Sequence, residues 1–228
     1  MAIGFLQRLL AVLGGSSTLK TKLKAMTFSS TSFCAVDFEL TSLDPNSTHI
    51  TSIGYVSGKR GRVDLSSCGY HVVNTEAELG QSPVIHGLTL EVLNEGTSLE
   101  SAIEALQPLL RSSVLVFHNA SLDLKALDRA FRVLNLPPQE VIYIDTLQLA
   151  LYQLNKQHQV LPNNSATLTV CRQRLDLPTF PEHNALDDAL ATLQLLFAQQ
   201  EQLGISQNES LSALLHTKSV GIYQLGVN

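Results

Sequence analysis

Asp37 and Glu39 stand at the end of a run that is otherwise largely apolar: residues 32–39 read S-F-C-A-V-D-F-E. A short, compact apolar run of this kind reads as a buried strand. Side chains two apart on a strand point to the same face, so the two carboxylates lie together. They occupy the C-terminal end of that strand, where open α/β sheets bind their ligands. Two acids ending a buried strand carry a desolvation cost unless something neutralises them. Any fold for this chain has to meet that constraint.

The elements that follow place the strand in a sheet. Asp44-Pro45-Asn46-Ser47 is a turn signal. His49–Ser57 and Arg62–Val73 are β-rich and flank Gly58-Lys59-Arg60-Gly61, which predicts a hairpin with a basic tip. The period then changes. Thr97-Ser98-Leu99-Glu100 has capping-box spacing, and Leu99, Ile103, Leu106 and Leu110 follow at helical intervals. Ser113–Phe117 reads as a fourth strand. His118-Asn119-Ala120-Ser121 leads into a helix with Leu124, Leu127, Phe131 and Leu134 on one face, stopped by Pro137-Pro138. Val141–Ile144 is a fifth strand, and Asp145-Thr146 can cap a helix reaching about Lys156. Ala166–Leu175 predicts a short helix, Asn184 to about Leu203 a long one, and Ser210–His216 a further one. Three meandering strands followed by α-β-α-β-α is an α/β pattern with a mixed sheet. The reading is one domain over 31–204, with residues 1–30 and 205–228 as appendages.

Composition narrows the function. Asp and Glu outnumber Lys and Arg by 20 to 15 in 228 residues. Proteins that coat duplexes draw affinity from neutralised phosphates and are basic, so that class is excluded. Trp is absent and aromatics are 6%, which gives no sign of a long stacking groove for single strands. Cys34, Cys68 and Cys171 are too far apart for a CxxC zinc site, and an odd number argues against a disulfide framework. A reducing bacterial cytoplasm is the expected setting, with no membrane association. Residues 1–36 hold no acid and carry Arg8, Lys20, Lys22 and Lys24. The favoured reading there is a helix over Phe5–Leu13, a Gly14–Ser17 break and a basic segment; the alternative is a mitochondrial transit peptide.

Two further acids matter jointly. Asp123 and Asp188 each fall in the first turn of a predicted helix, where a lone carboxylate usually serves the helix dipole. Asp187, three residues after the N-cap candidate Asn184, fits that role better. One sheet with helices packed on it brings Asp37, Glu39, Asp123 and Asp188 to a single edge. At about 4 Å and an effective dielectric of 20, each like-charge pair repels by about 4 kcal/mol. Several such pairs rival the roughly 5–15 kcal/mol stability of a domain. Divalent cations resolve the conflict, and hard oxygen ligands select Mg²⁺ or Mn²⁺. Such ions also let an acidic protein bind an anionic substrate.

The order D-F-E at 37–39, H-N-A-S-L-D at 118–123 and H-N-A-L-D-D at 183–188 resembles the DnaQ-like 3′–5′ exonucleases of the DEDDh type. Ile85-His86-Gly87-Leu88-Thr89 is similar to the I-H-G-[IL]-T stretch of that family. The resemblance spans about residues 31–200. It implies an RNase H-like fold with a five-stranded mixed sheet, three strands antiparallel and two parallel, flanked by helices. It implies two Mg²⁺ or Mn²⁺ ions on Asp37, Glu39, Asp123 and Asp188, with Asp37 bridging, and His183 as the general base. The implied reaction is hydrolysis at the 3′ end of single-stranded DNA or RNA, releasing nucleoside 5′-monophosphates in proofreading or repair. The family often reads D-x-E-T-T-G after its first strand. Here Leu40 and Ser42 replace two of those residues while Thr41 is kept, which bears on sugar and base preference.

Phe38, Leu40, Thr41, His86, His118 and Asn119 are the expected substrate-binding residues. Lys59, Arg60 and Arg62 are expected as a solvated hairpin tip, the alternative being guidance of the substrate strand, and Arg172 and Arg174 are read the same way. Two rival readings remain at this point: a polymerase-associated subunit whose main role is protein binding, and an exonuclease on RNA tails or short oligoribonucleotides.

Overall fold

The computed structural model describes residues 18–42, 44, 48–75, 90–157, 162, 164–179 and 184–227. The N-terminal helix expected over Phe5–Leu13, most of the Asp44–Ser47 turn, the Ile85–Thr89 stretch and His183 lie outside them.

Among the described residues, six strands form one mixed sheet in the order β3-β2-β1-β4-β5-β6. They are β1 (Phe33–Leu40), β2 (Ile50–Lys59), β3 (Arg62–Val72), β4 (Val114–Phe117), β5 (Gln139–Asp145) and β6 (Val220–Leu225). β1, β2 and β3 run antiparallel in sequence, and β1-β4-β5 are parallel. The β2–β3 hairpin turns on Arg60 and Gly61, both at positive φ (56° and 71°). That two-residue turn matches the natural strand twist. The helices are α1 (residues 18–24), α2 (Leu90–Asn94), α3 (Leu99–Ser112), α4 (Ala120–Val133), α5 (Thr146–Lys156), α6 (Leu168–Arg174) and α7 (Ala185–Gln202), with a 3₁₀ turn at Leu211–Thr217. Ser98, one residue later than the expected box, caps α3 by accepting from Ser101 N.

The α/β architecture with a mixed sheet is as expected, with six strands rather than five. The added strand, β6, pairs antiparallel with β5 from Gln139↔Leu225 to Ile144↔Val220. Gly221 gives way to the Tyr143 ring, which stands where a β-carbon would be (2.7 Å). Such pairing is non-local and leaves little trace in a six-residue window containing a glycine.

The alternation of β1 decides which layer each side chain joins. Cys34, Val36, Phe38 and Leu40 face the core shared with α3 and α4 (Ile103, Leu106, Leu124, Leu127, Phe131). Phe33 and Ala35 face the opposite core, shared with α7 through Ala189, Leu193, Leu196 and Phe197. Leu23 and Phe28 near the start of the described chain, and Leu211 and Leu214 near its end, belong to that second core. Segments 18–30 and 205–225 are thus packed into the sheet and its layers. Among the described residues, no helix is long and apolar enough to cross a membrane.

Candidate active site

Asp37 and Glu39 continue the Phe33–Ala35 face of β1, so they end on the α7 side of the sheet. Across the β1–β2 pair, Asp37 lies opposite Gly54. A β-carbon on Gly54 would fall 2.1 Å from Ala185 C and 2.2 Å from Leu186 N. The first turn of α7 therefore rests directly on the backbone of β2, which only glycine permits. The side chain of Asn184 caps the same turn, accepting from Leu186 N (3.1 Å) and Asp187 N (3.2 Å). Fixed in this way, α7 brings Asp188 to β1: carboxylate oxygens of Asp37, Glu39 and Asp188 all lie within 4.8 Å of one another.

Asp123 arrives from the other layer. It is buried in the first turn of α4. Its own N–H and that of Phe38 pull its pKa down, but burial dominates, the charges of Asp145 and Glu39 add to it, and the value rises to about 8. Glu39 is pushed up to about 7 by burial and by Asp188. Asp37 is raised well above the ordinary carboxylate range by burial and then by Asp123, Asp188 and Glu39. Four acids reached from three elements thus act on one another; Asp37, Glu39 and Asp123 hold their protons first because they are buried and then because their neighbours are charged.

A cavity of about 610 Å³ opens beside the cluster, lined by Asp37 and Asp188, by His118 and Asn119, by Leu147 and Leu151 of α5, and by the 164–168 segment. His118 pairs with Thr146 Oγ1 (2.8 Å from Nδ1) and with the Ala166 carbonyl (3.0 Å from Nε2). Burial lowers its pKa, against the pull of Ala166 O and Asp145.

Of the expected substrate-binding residues, His118 and Asn119 line this cavity. Phe38 and Leu40 are 5% and 7% exposed and lie in the α3–α4 core, because alternation along β1 turns them away from the Asp37 face. Thr41 is engaged with His49, whose N–H donates to Thr41 Oγ1. His86 and His183 fall outside the described residues. Arg172, expected as a solvated cation, is 1% exposed. Its guanidinium donates to the Pro178 and Ala191 carbonyls and to Gln194 Oε1, joining α6, the following loop and α7. Carbonyl acceptors on two segments, the loop at Pro178 and α7, explain how that charge is accommodated.

A family model described as Exonuclease matches residues 34–196. The chain belongs to this exonuclease family. The resemblance to DnaQ-like 3′–5′ exonucleases read from the motifs is borne out. Among curated relatives, the PolC-type DNA polymerase III of Thermotoga maritima is 31% identical over 196 residues, covering 84% of this chain and 14% of the polymerase. The 3′–5′ exonuclease DinG of Staphylococcus epidermidis is 25% identical over 202 residues, covering 85% of this chain and 21% of DinG. The chain thus spans about a seventh to a fifth of the length of these relatives. Among solved structures, the cell-death related nuclease CRN-4 superimposes with a TM-score of 0.64 at 12% identity, covering 85% of this chain and 80% of that one. The nuclease domain of 3′hExo, a DEDDh family member bound to rAMP, gives 0.62 at 16% identity, covering 78% of this chain and 96% of that domain. These similarities support the fold.

The donor set suits hard divalent cations. It consists of carboxylate oxygens, three of them from Asp37, Glu39 and Asp188 within 4.8 Å of one another; burial first and mutual repulsion second hold Asp37 and Glu39 above their ordinary pKa, a conflict that bound cations remove.

Proposed function

We propose that this exonuclease hydrolyses the terminal phosphodiester at the 3′ end of single-stranded nucleic acid and releases nucleoside 5′-monophosphates. The convergence of Asp37, Glu39 and Asp188, with the charge of Asp123 acting on Asp37 from α4, carries the reading. Asp37, Glu39, Asp123 and Asp188 would hold two Mg²⁺ or Mn²⁺ ions. When bound, such ions supply positive charge for the phosphate and acidify a water that can attack it.

The chain's own groups do the rest. The carboxylates of Asp37 and Asp188 border both the cluster and the adjoining cavity, so the scissile phosphate lies at their junction. Leu147 and Leu151 offer an apolar wall to a base, while Asn119 offers a polar group beside them. His183, five residues before Asp188 in H-N-A-L-D-D, accepts at a ring nitrogen the proton released by the attacking water. An ordinary imidazole titrates near 6.5, so it is free to take that proton at neutral pH.

The relation to PolC-type polymerases favours proofreading beside a polymerase in a bacterial cytoplasm over RNA trimming. The test uses matched 5′-labelled DNA and RNA oligonucleotides with Mg²⁺ or Mn²⁺, run beside Asp188→Ala. Stepwise shortening from the 3′ end, faster on DNA and absent in the variant, is expected. Internal cuts, or equal activity in Asp188→Ala, would overturn the reading; faster loss of RNA would replace proofreading with RNA trimming.

A further inference from the structure

Asp145 ends β5, opposite Phe117 in the parallel β4–β5 pair, and is 6% exposed. Its carboxylate accepts from four backbone N–H groups. Leu147 N (2.9 Å) and Gln148 N (3.4 Å) donate to Oδ1, the arrangement of an N-cap for the helix that follows. The other two donors belong to a different helix. Asn119 N (3.1 Å) also reaches Oδ1, and Ala120 N (3.1 Å) reaches Oδ2.

That second pair matters because α4 lacks a cap of its own. Its N-cap residue, Asn119, sits in the left-handed region (φ 79°, ψ 58°), and its side chain makes no capping bond. Left-handed backbone is uncommon for a residue other than glycine and persists where surroundings impose it. Here the surroundings are the carboxylate of Asp145 and the next residue, Thr146, whose hydroxyl donates to Phe117 O (3.1 Å). The turn from β4 into α4 is therefore tied to the end of β5 at successive residues. Asp123 lies three residues beyond Ala120, in the same first turn, so displacement of this turn displaces its carboxylate.

We propose that Asp145 is a positioning residue for the exonuclease reaction, holding the first turn of α4 from the neighbouring strand and so setting where Asp123 stands relative to Asp37 and Glu39. The inference rests on the reading of Asp123 as a metal ligand. Asp145 does not touch the substrate in this account; its effect passes through the backbone of Asn119 and Ala120.

Two substitutions separate this role from plain capping. Asp145→Ser keeps a good N-cap for α5, but a single hydroxyl cannot serve both N–H groups of α4. Asp145→Asn keeps one acceptor oxygen and turns an amide NH₂ toward the N–H groups. The measurements are circular dichroism melting, Mn²⁺ affinity by electron paramagnetic resonance well below the melting temperature, and kcat and KM on a 3′-labelled oligonucleotide. We expect both variants to fold, KM to stay within about threefold, and kcat and Mn²⁺ affinity to fall about 10- to 100-fold, the range for residues that orient metal ligands. Folded variants with wild-type kcat and Mn²⁺ affinity would overturn the proposal. Failure of both to fold would also overturn it, by making Asp145 a purely structural residue. A wild-type protein that binds no Mn²⁺ and releases no mononucleotide would instead overturn the exonuclease reading itself.

Discussion

Two of the site's acids sit in the first turn of a helix, and the two helices start in different ways. The start of α7 is local: Asn184 caps it with its own side chain, and Gly54 clears the place where it lands. The start of α4 is assembled at a distance: Asn119 provides no side-chain cap, and a carboxylate 25 residues further along the chain supplies the acceptors. Asp188 is thus placed by a local cap on a helix seated against β2 at Gly54, and Asp123 by a carboxylate reaching over from another strand. A substitution near α7 should act on one ligand, whereas one at Asp145 reaches across two strands and two helices.

The largest effect should come from removing an acid common to both halves. Asp37→Ala should lower turnover by more than about 100-fold, beyond the range for residues that merely orient ligands, and should abolish the rise in melting temperature that Mn²⁺ confers. The same change should raise the metal-free melting temperature at pH 8, since it removes a repelling charge. A lower metal-free value would contradict mutual repulsion. The wild-type protein should show that repulsion as a pH slope. Glu39 and Asp123 titrate at about 7 and about 8 in the fold against 4.5 and 3.8 ordinarily. Between those ranges the folded state binds more protons than the unfolded chain, so metal-free stability falls as pH rises from about 4 to about 8. Melting in chelator at pH 5.5, 6.5, 7.5 and 8.5 checks the sign, and Mn²⁺ should flatten the slope.

Next in size is Gly54→Ala. The added methyl would meet the Ala185 carbonyl carbon at 2.1 Å, so the start of α7 must lift. The expected cost is about 1–3 kcal/mol in stability and about 100-fold in turnover, the sensitivity of a site to displacement of about 1 Å. Unchanged kinetics would show that Asp188 tolerates a moved helix. The smallest effect belongs to Asn184→Ala, which removes the local cap for about 1 kcal/mol. Its turnover should change only a few-fold because Gly54 still seats the helix. Denaturant titration beside the same oligonucleotide assay checks both.

Much of this was legible in the chain. The strand ending in Asp37 and Glu39, the helix starts carrying Asp123 and Asp188, and the cap at Asn184 follow from local spacing, and at β1 and the Asn184 cap local spacing also governs the structure. Gly54 had a readable signal, since an isolated glycine in a strand marks close backbone approach, but nothing local says that α7 is what approaches. The double role of Asp145 had none: its sequence context announces one helix, and its second set of donors exists only because β4 and β5 lie side by side. Non-local pairing likewise hides β6 and the burial of Arg172, whose partners lie in the Pro178 loop and on α7.

The last strand also guards its neighbour. β6 occupies the outer side of β5 along Gln139–Ile144, and Ser219 O accepts the Asp145 N–H at 2.7 Å. A protein cut after Gly204 would leave that row of amide and carbonyl groups bare, an invitation to edge-to-edge stacking between molecules. Residues 220–225 thus cover the outer edge of the strand whose last residue, Asp145, caps α5 and bonds the start of α4.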